Sequence, residues 1–195
     1  MGRVSEIHRK TGETDVRIRL ELDGSGRFTG DTGIGFFDHM LHLWTRHGNF
    51  DLDLSVTGDL MVDGHHTVED TGIVLGEVFR EALGDKRGIR RYGDIVLPMD
   101  ETLVLCAVDL SGRPYLNWKV EIPAVKVGDF DTELAEEFMR AFCFSARINL
   151  HLLLLSGGNT HHIIEGCFKA LARSLREAAG IDQGESGLPS TKGML

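Results

Sequence analysis

The chain of 195 residues has few cysteines, few prolines and no long apolar segment. Its three cysteines lie within apolar stretches, so they indicate buried thiols in a reducing compartment and no disulfide framework. Apolar runs such as 152–155 are far shorter than the about 20 residues that a membrane-spanning helix requires. The polar segment 1–10 contains no apolar signal region. We therefore expect a cytoplasmic protein that does not act at a membrane.

Basic residues are also scarce: 21 Lys and Arg stand against 30 Asp and Glu, and the formal net charge is −9. Because nucleic acid binding needs a basic face against the phosphates, this balance argues against nucleic acid as the main partner. It leaves room for a small phosphorylated substrate, which a local cluster of Arg and Lys can bind. The length and the hydrophobic content of 42% allow one domain with a sizeable core or two fused halves.

One motif occurs twice in the chain, as DGHHTVE at 63–69 and as NTHHIIE at 159–165. Both copies contain HHxxE, 96 residues apart, and each stands at the start of a segment with helical periodicity. Two such coincidences in one short chain are improbable. We interpret them as an internal duplication in which each half contributes half of a metal site.

The order of predicted elements repeats as well. Alternation of polar and apolar residues predicts strands at 14–22, 50–56, 95–97, 102–110 and 148–155, with a turn at 98–100. Apolar faces with helical spacing predict helices at 37–46, 66–83, 132–147 and 161–179. Each half therefore runs strands, helix, strand, helix.

We expect a single domain over residues 1–195, made of two similar halves and a tail. The first half covers 1–87, the second covers 88–180, and the Gly-rich tail covers 181–195. The predicted fold class is α+β, with two sheets and the paired helices packed between them.

Candidate metal ligands follow from the repeat. Residues i and i+4 share a helix face, so the first histidine and the glutamate of each HHxxE can bind one ion. The second histidine points about 100° away and suits a second ion. Superposing the halves adds His39, 26 residues before His65, and Glu137, 24 residues before His161. The full set is His39, His65, His66, Glu69, Glu137, His161, His162 and Glu165.

The pairing of these ligands is a hypothesis. It places His65, Glu69, Glu137 and His162 on one ion, and His161, Glu165, His39 and His66 on the other. All donors are nitrogen or oxygen, a set that Mn²⁺, Fe²⁺, Co²⁺, Ni²⁺ and Zn²⁺ accept. Four protein ligands with two open positions favour octahedral Mn²⁺ over a closed Zn²⁺ site. We expect two Mn²⁺ per active site.

Several longer strings resemble one known family. They are GFFDHML at 35–41, DGHHTVED at 63–70, SGRPY at 111–115, NTHHIIE at 159–165 with FKA at 168–170, and PSTKG at 189–193. In this order, over nearly the whole chain, they resemble the imidazoleglycerol-phosphate dehydratases of histidine biosynthesis. The resemblance implies a di-manganese lyase that converts D-erythro-imidazoleglycerol phosphate to imidazole acetol phosphate. It also implies a fold like the second domain of ribosomal protein S5, and a 24-subunit homo-oligomer with active sites between subunits.

The same resemblance implies roles for individual residues. Glu13 becomes the proton acceptor, although its position alone indicates a solvated carboxylate at a strand end. The ligands expected to act in catalysis are His39, His65, Glu69, His161 and Glu165. The expected substrate-binding residues are Glu13, His47, Arg91, Arg113, Ser190, Thr191 and Lys192. We expect the tail to order over bound substrate and exclude water.

Two other functions stay open on the residues alone. A dinuclear hydrolase, such as a phosphatase, usually needs bridging carboxylates, whereas this chain offers mainly imidazoles. In a structural oligomer held together by metal ions, the protein would fill the coordination sphere of each ion. Such an oligomer would need neither Glu13 nor Arg91. A zinc protease fits less well, because neither motif helix contains HExxH.

Overall fold

The computed structural model describes residues 2–185 and 187–193. It contains four helices and ten strands among these residues. In chain order they are β1 (Val4–Lys10), β2 (Thr14–Glu21), β3 (Phe28–Thr29), α1 (Gly35–Gly48), β4 (Asp51–Gly58), α2 (His65–Leu83), β5 (Tyr92–Met99), β6 (Thr102–Asp109), β7 (Tyr115–Lys119), β8 (Lys126–Val127), β9 (Phe130–Asp131), α3 (Leu134–Ala146), β10 (Asn149–Ser156) and α4 (Thr160–Ala179).

Two four-stranded sheets have the same topology. The strand order is β1-β2-β4-β3 in the first sheet and β5-β6-β10-β7 in the second. In each sheet three strands pair antiparallel, and the last, β3 or β7, pairs in parallel with its neighbour. The small hairpin of β8 and β9 is an addition to the second half. The predicted α+β class with two sheets is confirmed, while the residue boundaries of the halves stay a prediction.

The helices lie between the sheets in two pairs. Helix α2 packs on β1, β2 and β4, helix α4 packs on β5 and β6, and the helices meet as α1 with α4 and α2 with α3. Every second residue of the central strands is buried against the helices, for example Val16 and Ile18 in β2 and Val104 and Cys106 in β6. The three cysteines are all buried thiols, as expected. No helix in the described part of the chain is long and apolar enough to cross a membrane.

Aromatic rings join the two helix pairs. Phe37 of α1, Phe138 of α3 and Phe168 of α4 are fully buried and pack ring against ring at centroid distances of 5.0 to 6.5 Å. At the edge of this cluster Phe36 meets the ring of His161 edge-on at 5.2 Å. Because buried aromatic rings have few allowed positions, this packing holds α1 and α3 against α4, the helix that begins with the second motif.

The prediction of a turn at 98–100 is wrong. Strand β5 continues to Met99, Pro98 pairs with Leu103, and the turn is formed by Asp100 and Glu101. Proline is tolerated in β5 because β5 is an edge strand, where a missing N–H need not cost a ladder bond. Strands β1 and β7 were not predicted. Neither has a fully buried side chain, so neither shows the apolar alternation that marks a half-buried strand.

Candidate metal centre

Both HHxxE motifs begin at the start of a helix, and a preceding polar side chain accepts a hydrogen bond from the backbone of each motif. The Asn159 side chain accepts hydrogen bonds from the backbone N–H groups of His161 (2.9 Å) and His162 (3.3 Å). At the other motif the Asp63 carboxylate accepts from the N–H of His65 at 2.8 Å. These bonds set where each helix begins, and therefore which way the histidines of its first turn point.

One group of three ligands converges within the chain. His39 of α1 and His161 and Glu165 of α4 each offer a ligand atom, and the three atoms lie within 4.8 Å of one another. The carboxylate oxygen Oε2 of Glu165 is 3.0 Å from Nε2 of His161 and 3.4 Å from Nε2 of His39. Ligand bonds of about 2.1 Å to one ion place neighbouring donors about 3 Å apart, so this geometry fits a divalent metal. Among residues 2–185 and 187–193 no other such group occurs.

Lys169 belongs to the same centre and was not predicted as a site residue. Its ammonium forms an ion pair with the other oxygen, Oε1, of Glu165, one helical turn before it. Burial raises the pKa of Glu165, but the hydrogen bond and charge of Lys169 outweigh it, together with the hydrogen bond of His161, and the net pKa is below the ordinary value. The carboxylate is therefore anionic and only 8% exposed. The spacing of four from Glu165 was the signal that could have identified Lys169.

His47 continues the line of His39 two turns further along α1. Burial lowers the pKa of its imidazole, and the charges of Lys169 and Arg173 on α4 lower it further. The imidazole of His47 is therefore near two cations of α4, the helix against which α1 packs. This predicted substrate-binding residue lies beside charges that suit an anionic group.

The equivalent ligands of α2 and α3 are less closely assembled. Nε2 of His65 lies 3.9 Å from Oε2 of Glu69, and both side chains are 43% exposed. Glu137 on α3 is 3.9 Å from the guanidinium of Arg140. In the described part of the chain these three do not form a converging group like that of His39.

The second histidine of each motif is directed toward a carboxylate of another segment, and not toward the first histidine of its own motif. Nδ1 of His66 is 3.0 Å from Asp59, and Nδ1 of His162 is 3.0 Å from Glu101. These hydrogen bonds raise the pKa of each imidazole above its ordinary value. Glu13, the predicted proton acceptor, lies 3.7 Å from Nε2 of His66. The structure thus brings three members of one predicted ligand set together, and the complete pairing stays a prediction.

The expected phosphate-binding residues lie in a separate region. Arg91 has a left-handed backbone, with φ of 72°, and its side chain binds Asp109 (Nε to Oδ1, 2.7 Å) and the carbonyl of Pro189 (2.8 Å). This bond holds the tail segment with Ser190 and Thr191 beside Arg91 in a groove.

Two further expected phosphate-binding residues are exposed. Lys192 donates its backbone N–H to Ser190, and the carbonyl of Arg113 accepts from Asn149. Among the hydrogen bonds and ion pairs of the described residues, none links Arg91 or Arg113 to the His39 group.

Comparisons of sequence agree on one family. The sequence profile described as imidazoleglycerol-phosphate dehydratase matches residues 32–175. Imidazoleglycerol-phosphate dehydratase of Lachnoclostridium phytofermentans is 56% identical over 195 residues, covering 100% of both chains. The enzyme of the same name from Gluconobacter oxydans is 57% identical over 194 residues, covering 99% of this chain and 98% of that one.

Solved structures extend the similarity to the fold. Imidazoleglycerol-phosphate dehydratase from Staphylococcus aureus superposes with a TM-score of 0.82 at 42% identity, covering 92% of this chain and 98% of that one. The Pyrococcus furiosus protein, solved in complex with (S)-C348, gives a TM-score of 0.84 at 35% identity, covering 97% and 100%. The resemblance found in the sequence strings is confirmed, and the chain belongs to the imidazoleglycerol-phosphate dehydratase family of hydro-lyases.

Proposed function

We propose that the chain removes water from D-erythro-imidazoleglycerol phosphate to give imidazole acetol phosphate in histidine biosynthesis, with two Mn²⁺ per active site. The observation that carries the proposal is the convergence of His39, His161 and Glu165 within 4.8 Å, in a chain of this family. Imidazole and carboxylate donors at these separations suit a divalent transition metal.

The two ligand sets divide between the helix pairs. His39, His161 and Glu165 would hold one ion, while His65, Glu69 and Glu137 contribute to the other. Divalent cations held by these residues would supply positive charge that favours the deprotonated form of the substrate's imidazole, as bound metals lower the pKa of their ligands. His66 and His162 complete the proposed set of eight ligands.

Glu13 is the proposed group that takes the proton from carbon. Its carboxylate is 57% exposed, and its only contact below 4 Å to an oppositely charged side chain in the described residues is with His66. An accessible carboxylate next to the second histidine of the motif can reach a ligand bound there. In the second half Glu101, the corresponding turn residue, is already occupied by hydrogen bonds.

The phosphate requires cations, and the structure offers two groups of them. One lies between α1 and α4, where His47 faces Lys169 and Arg173. The other lies at Arg91 and the tail segment of Ser190, Thr191 and Lys192, with Arg113 on a separate loop.

We propose that the two groups meet across a subunit boundary, in a cytoplasmic 24-subunit homo-oligomer that needs no nucleic acid or membrane partner. The observation that supports this proposal is that His66 and His162 do not belong to the His39 group of their own chain and contact Asp59 and Glu101 instead. An active site between subunits would unite groups that one chain keeps apart.

A turnover assay tests the reaction. The protein is incubated with imidazoleglycerol phosphate, and the products are followed by phosphorus NMR and by ketone detection. We expect a ketone that retains its phosphate. Release of inorganic phosphate would instead identify a phosphatase, and absence of any product would overturn the proposal.

Deletion of residues 189–195 tests the role of the tail. If the segment closes over bound substrate, its loss raises KM and lowers kcat while metal content stays the same. Unchanged kinetic constants in the shortened chain would contradict that role.

A further inference from the structure

Two glutamates occupy the same place in the two halves of the fold. Glu13 immediately precedes Thr14, the first residue of β2, and Glu101 immediately precedes Thr102, the first residue of β6. Strands β2 and β6 have the same position in their sheets. Each glutamate lies beside the second histidine of the HHxxE motif in its own half. Equivalent positions suggest equivalent roles, but the contacts of the two differ.

In the first half the histidine is held by Asp59 and not by the turn glutamate. Both carboxylate oxygens of Asp59 lie near Nδ1 of His66, at 3.0 and 3.2 Å. Asp59 directly follows strand β4, so its position is fixed by the sheet. Glu13 stands at 3.7 Å from the other ring nitrogen, Nε2, beyond hydrogen-bond distance.

In the second half the turn glutamate itself holds the histidine. Oε2 of Glu101 is 3.0 Å from Nδ1 of His162. Its other oxygen, Oε1, accepts from the backbone N–H of Asn159 at 3.0 Å and from the hydroxyl of Thr102 at 3.1 Å. Both oxygens are therefore engaged, and Glu101 ties the β5–β6 turn to the start of α4.

The two halves use different carboxylates because the segments after β4 and β10 differ. Strand β4 is followed by Asp59, but β10 is followed by Gly157 and Gly158, which have no carboxylate. With no acid at that point, the histidine of the second half turns to the hairpin glutamate.

We propose that Asp59 and Glu101 are positioning residues: Asp59 orients His66, and Glu101 orients His162. Because Asp59 holds His66, Glu13 is not needed to orient that histidine. An ionised carboxylate can only accept, so the Nδ1 atoms of His66 and His162 must carry the proton. The lone pair of each neutral ring is then on Nε2, the nitrogen available to a metal. Metal-binding histidines usually donate their other ring N–H in this way, which fixes tautomer and ring orientation. The metal part of this inference rests on the proposed function.

The tautomers are measurable without any metal or substrate. In metal-free protein at a pH well above the raised imidazole pKa values, ¹⁵N NMR should show protonated Nδ1 at both His66 and His162. Glu101→Ala should convert His162 to a mixture of tautomers and leave His66 unchanged. Asp59→Ala should convert His66 to a mixture of tautomers and leave His162 unchanged. Glu101→Gln has one accepting oxygen where Glu101 uses two, so compared with Glu101→Ala it should restore the Nδ1–H form of His162 in part, and a merely structural contact would show no such graded recovery.

Metal affinity provides a second measurement. Equilibrium dialysis should give Mn²⁺ binding about 10- to 100-fold weaker in Asp59→Ala and Glu101→Ala, the usual effect of removing such a partner. Glu121→Ala, which removes an exposed carboxylate that forms no hydrogen bond or ion pair among the described residues, serves as the matched control and should bind Mn²⁺ like the unmodified chain. Thermal unfolding of each variant confirms that it folds.

The outcomes separate this inference from the proposed function. Unmodified protein that turns over substrate, combined with alanine variants whose tautomers and Mn²⁺ affinity do not change, overturns the positioning roles alone. Unmodified protein with protonated Nδ1 atoms but no turnover supports the positioning of the rings and overturns the proposed function. A change at His66 in Glu101→Ala would show that the halves are not independent and would also overturn the inference.

Discussion

The two halves of the chain have the same topology and the same motif, but the two helix pairs, each made of one helix from each half, assemble their candidate ligands to different degrees. The ligands between α1 and α4 converge within 4.8 Å, and Glu165 among them is 8% exposed. The equivalent Glu69 between α2 and α3 is 43% exposed and lies 3.9 Å from His65. The repeat therefore preserves the residue types of HHxxE in both halves without preserving their burial.

One side chain accounts for much of this difference. Lys169 follows Glu165 by one helical turn and neutralises its buried charge. At the corresponding place after Glu69 stands Ile73, which cannot do so. Because a buried carboxylate without a partner is costly, only the half with the lysine can draw its glutamate into the protein.

The helix contacts differ as well. Gly72 and Gly76 of α2 let the backbone of α3 come so close that a Cβ on Gly76 would lie 2.6 Å from the carbonyl oxygen of Phe142. At the positions 96 residues later α4 has Phe168 and Ala172. The separation of packed helices depends on the side chains at their contact, so the two pairs are spaced differently.

The largest effect is expected from replacing each of the two turn glutamates, Glu13 and Glu101, by glutamine. Glu13→Gln removes the proposed proton acceptor and should lower kcat by about 10²- to 10⁴-fold, with Mn²⁺ content unchanged. Glu101→Gln, at the equivalent position, keeps its accepting oxygen and should retain most of its activity. Steady-state kinetics with metal analysis measures both. Near-normal turnover in Glu13→Gln would exclude Glu13 from the mechanism.

Neutralising the two motif glutamates should affect stability unequally. Glu165→Gln leaves the mostly buried Lys169 without its anion and should lower the free energy of unfolding of metal-free protein by about 2 kcal/mol. Glu69→Gln changes an exposed group and should stay within about 0.5 kcal/mol. Urea unfolding in the presence of a chelator compares the two. Equal losses would show that Lys169 does not distinguish the halves.

Two substitutions test the spacing of the helix pairs. One adds a methyl group to α2, and the other removes a methyl group from α4. Gly76→Ala places a Cβ against the α3 backbone and should destabilise the fold by about 1–2 kcal/mol, as overpacking does. Ala172→Gly on α4 serves as the partner variant and should cost about 1–2 kcal/mol, through lower helix propensity and the loss of a buried methyl group. Stabilisation by Gly76→Ala in thermal unfolding would mean that α2 and α3 are not in close contact.

The smallest effect should appear in the pH dependence. The hydrogen bond from His162, with that from the Asn159 N–H, lowers the pKa of Glu101 from 4.5 to about 2, and Glu101 raises the pKa of His162 above 6.5. The Glu101 contribution to stability is present above pH 4.5 and is lost as the pH falls toward 2. The His162 contribution is fully present below pH 6.5 and is lost as the pH rises through its raised pKa.

The pair should therefore stabilise metal-free protein most between pH 4.5 and 6.5. The difference in unfolding midpoint between the unmodified chain and Glu101→Gln should peak in that window and stay small, because both groups are near the surface. Glu121→Gln is the control. A difference in unfolding midpoint that does not vary with pH would contradict an ion pair between Glu101 and His162.

Much of the fold and part of the site could be predicted from local patterns in the sequence. Helical periodicity located all four helices, and the repeated HHxxE pointed to candidate ligands, of which the structure brings His161 and Glu165 together. The sequence did not reveal Asp59 or Glu101 as partners of histidines, because those contacts form between segments that only the folded sheets bring together. The assembly of His39 with α4 likewise depends on helix packing, which no local pattern records.

Titration of chelated protein with Mn²⁺, while ketone formation is followed, tests the central claim most directly. The account predicts no imidazole acetol phosphate from the metal-free chain, and full activity only when two ions per active site are bound. Turnover by the metal-free chain, or full activity with one ion per site, would contradict it.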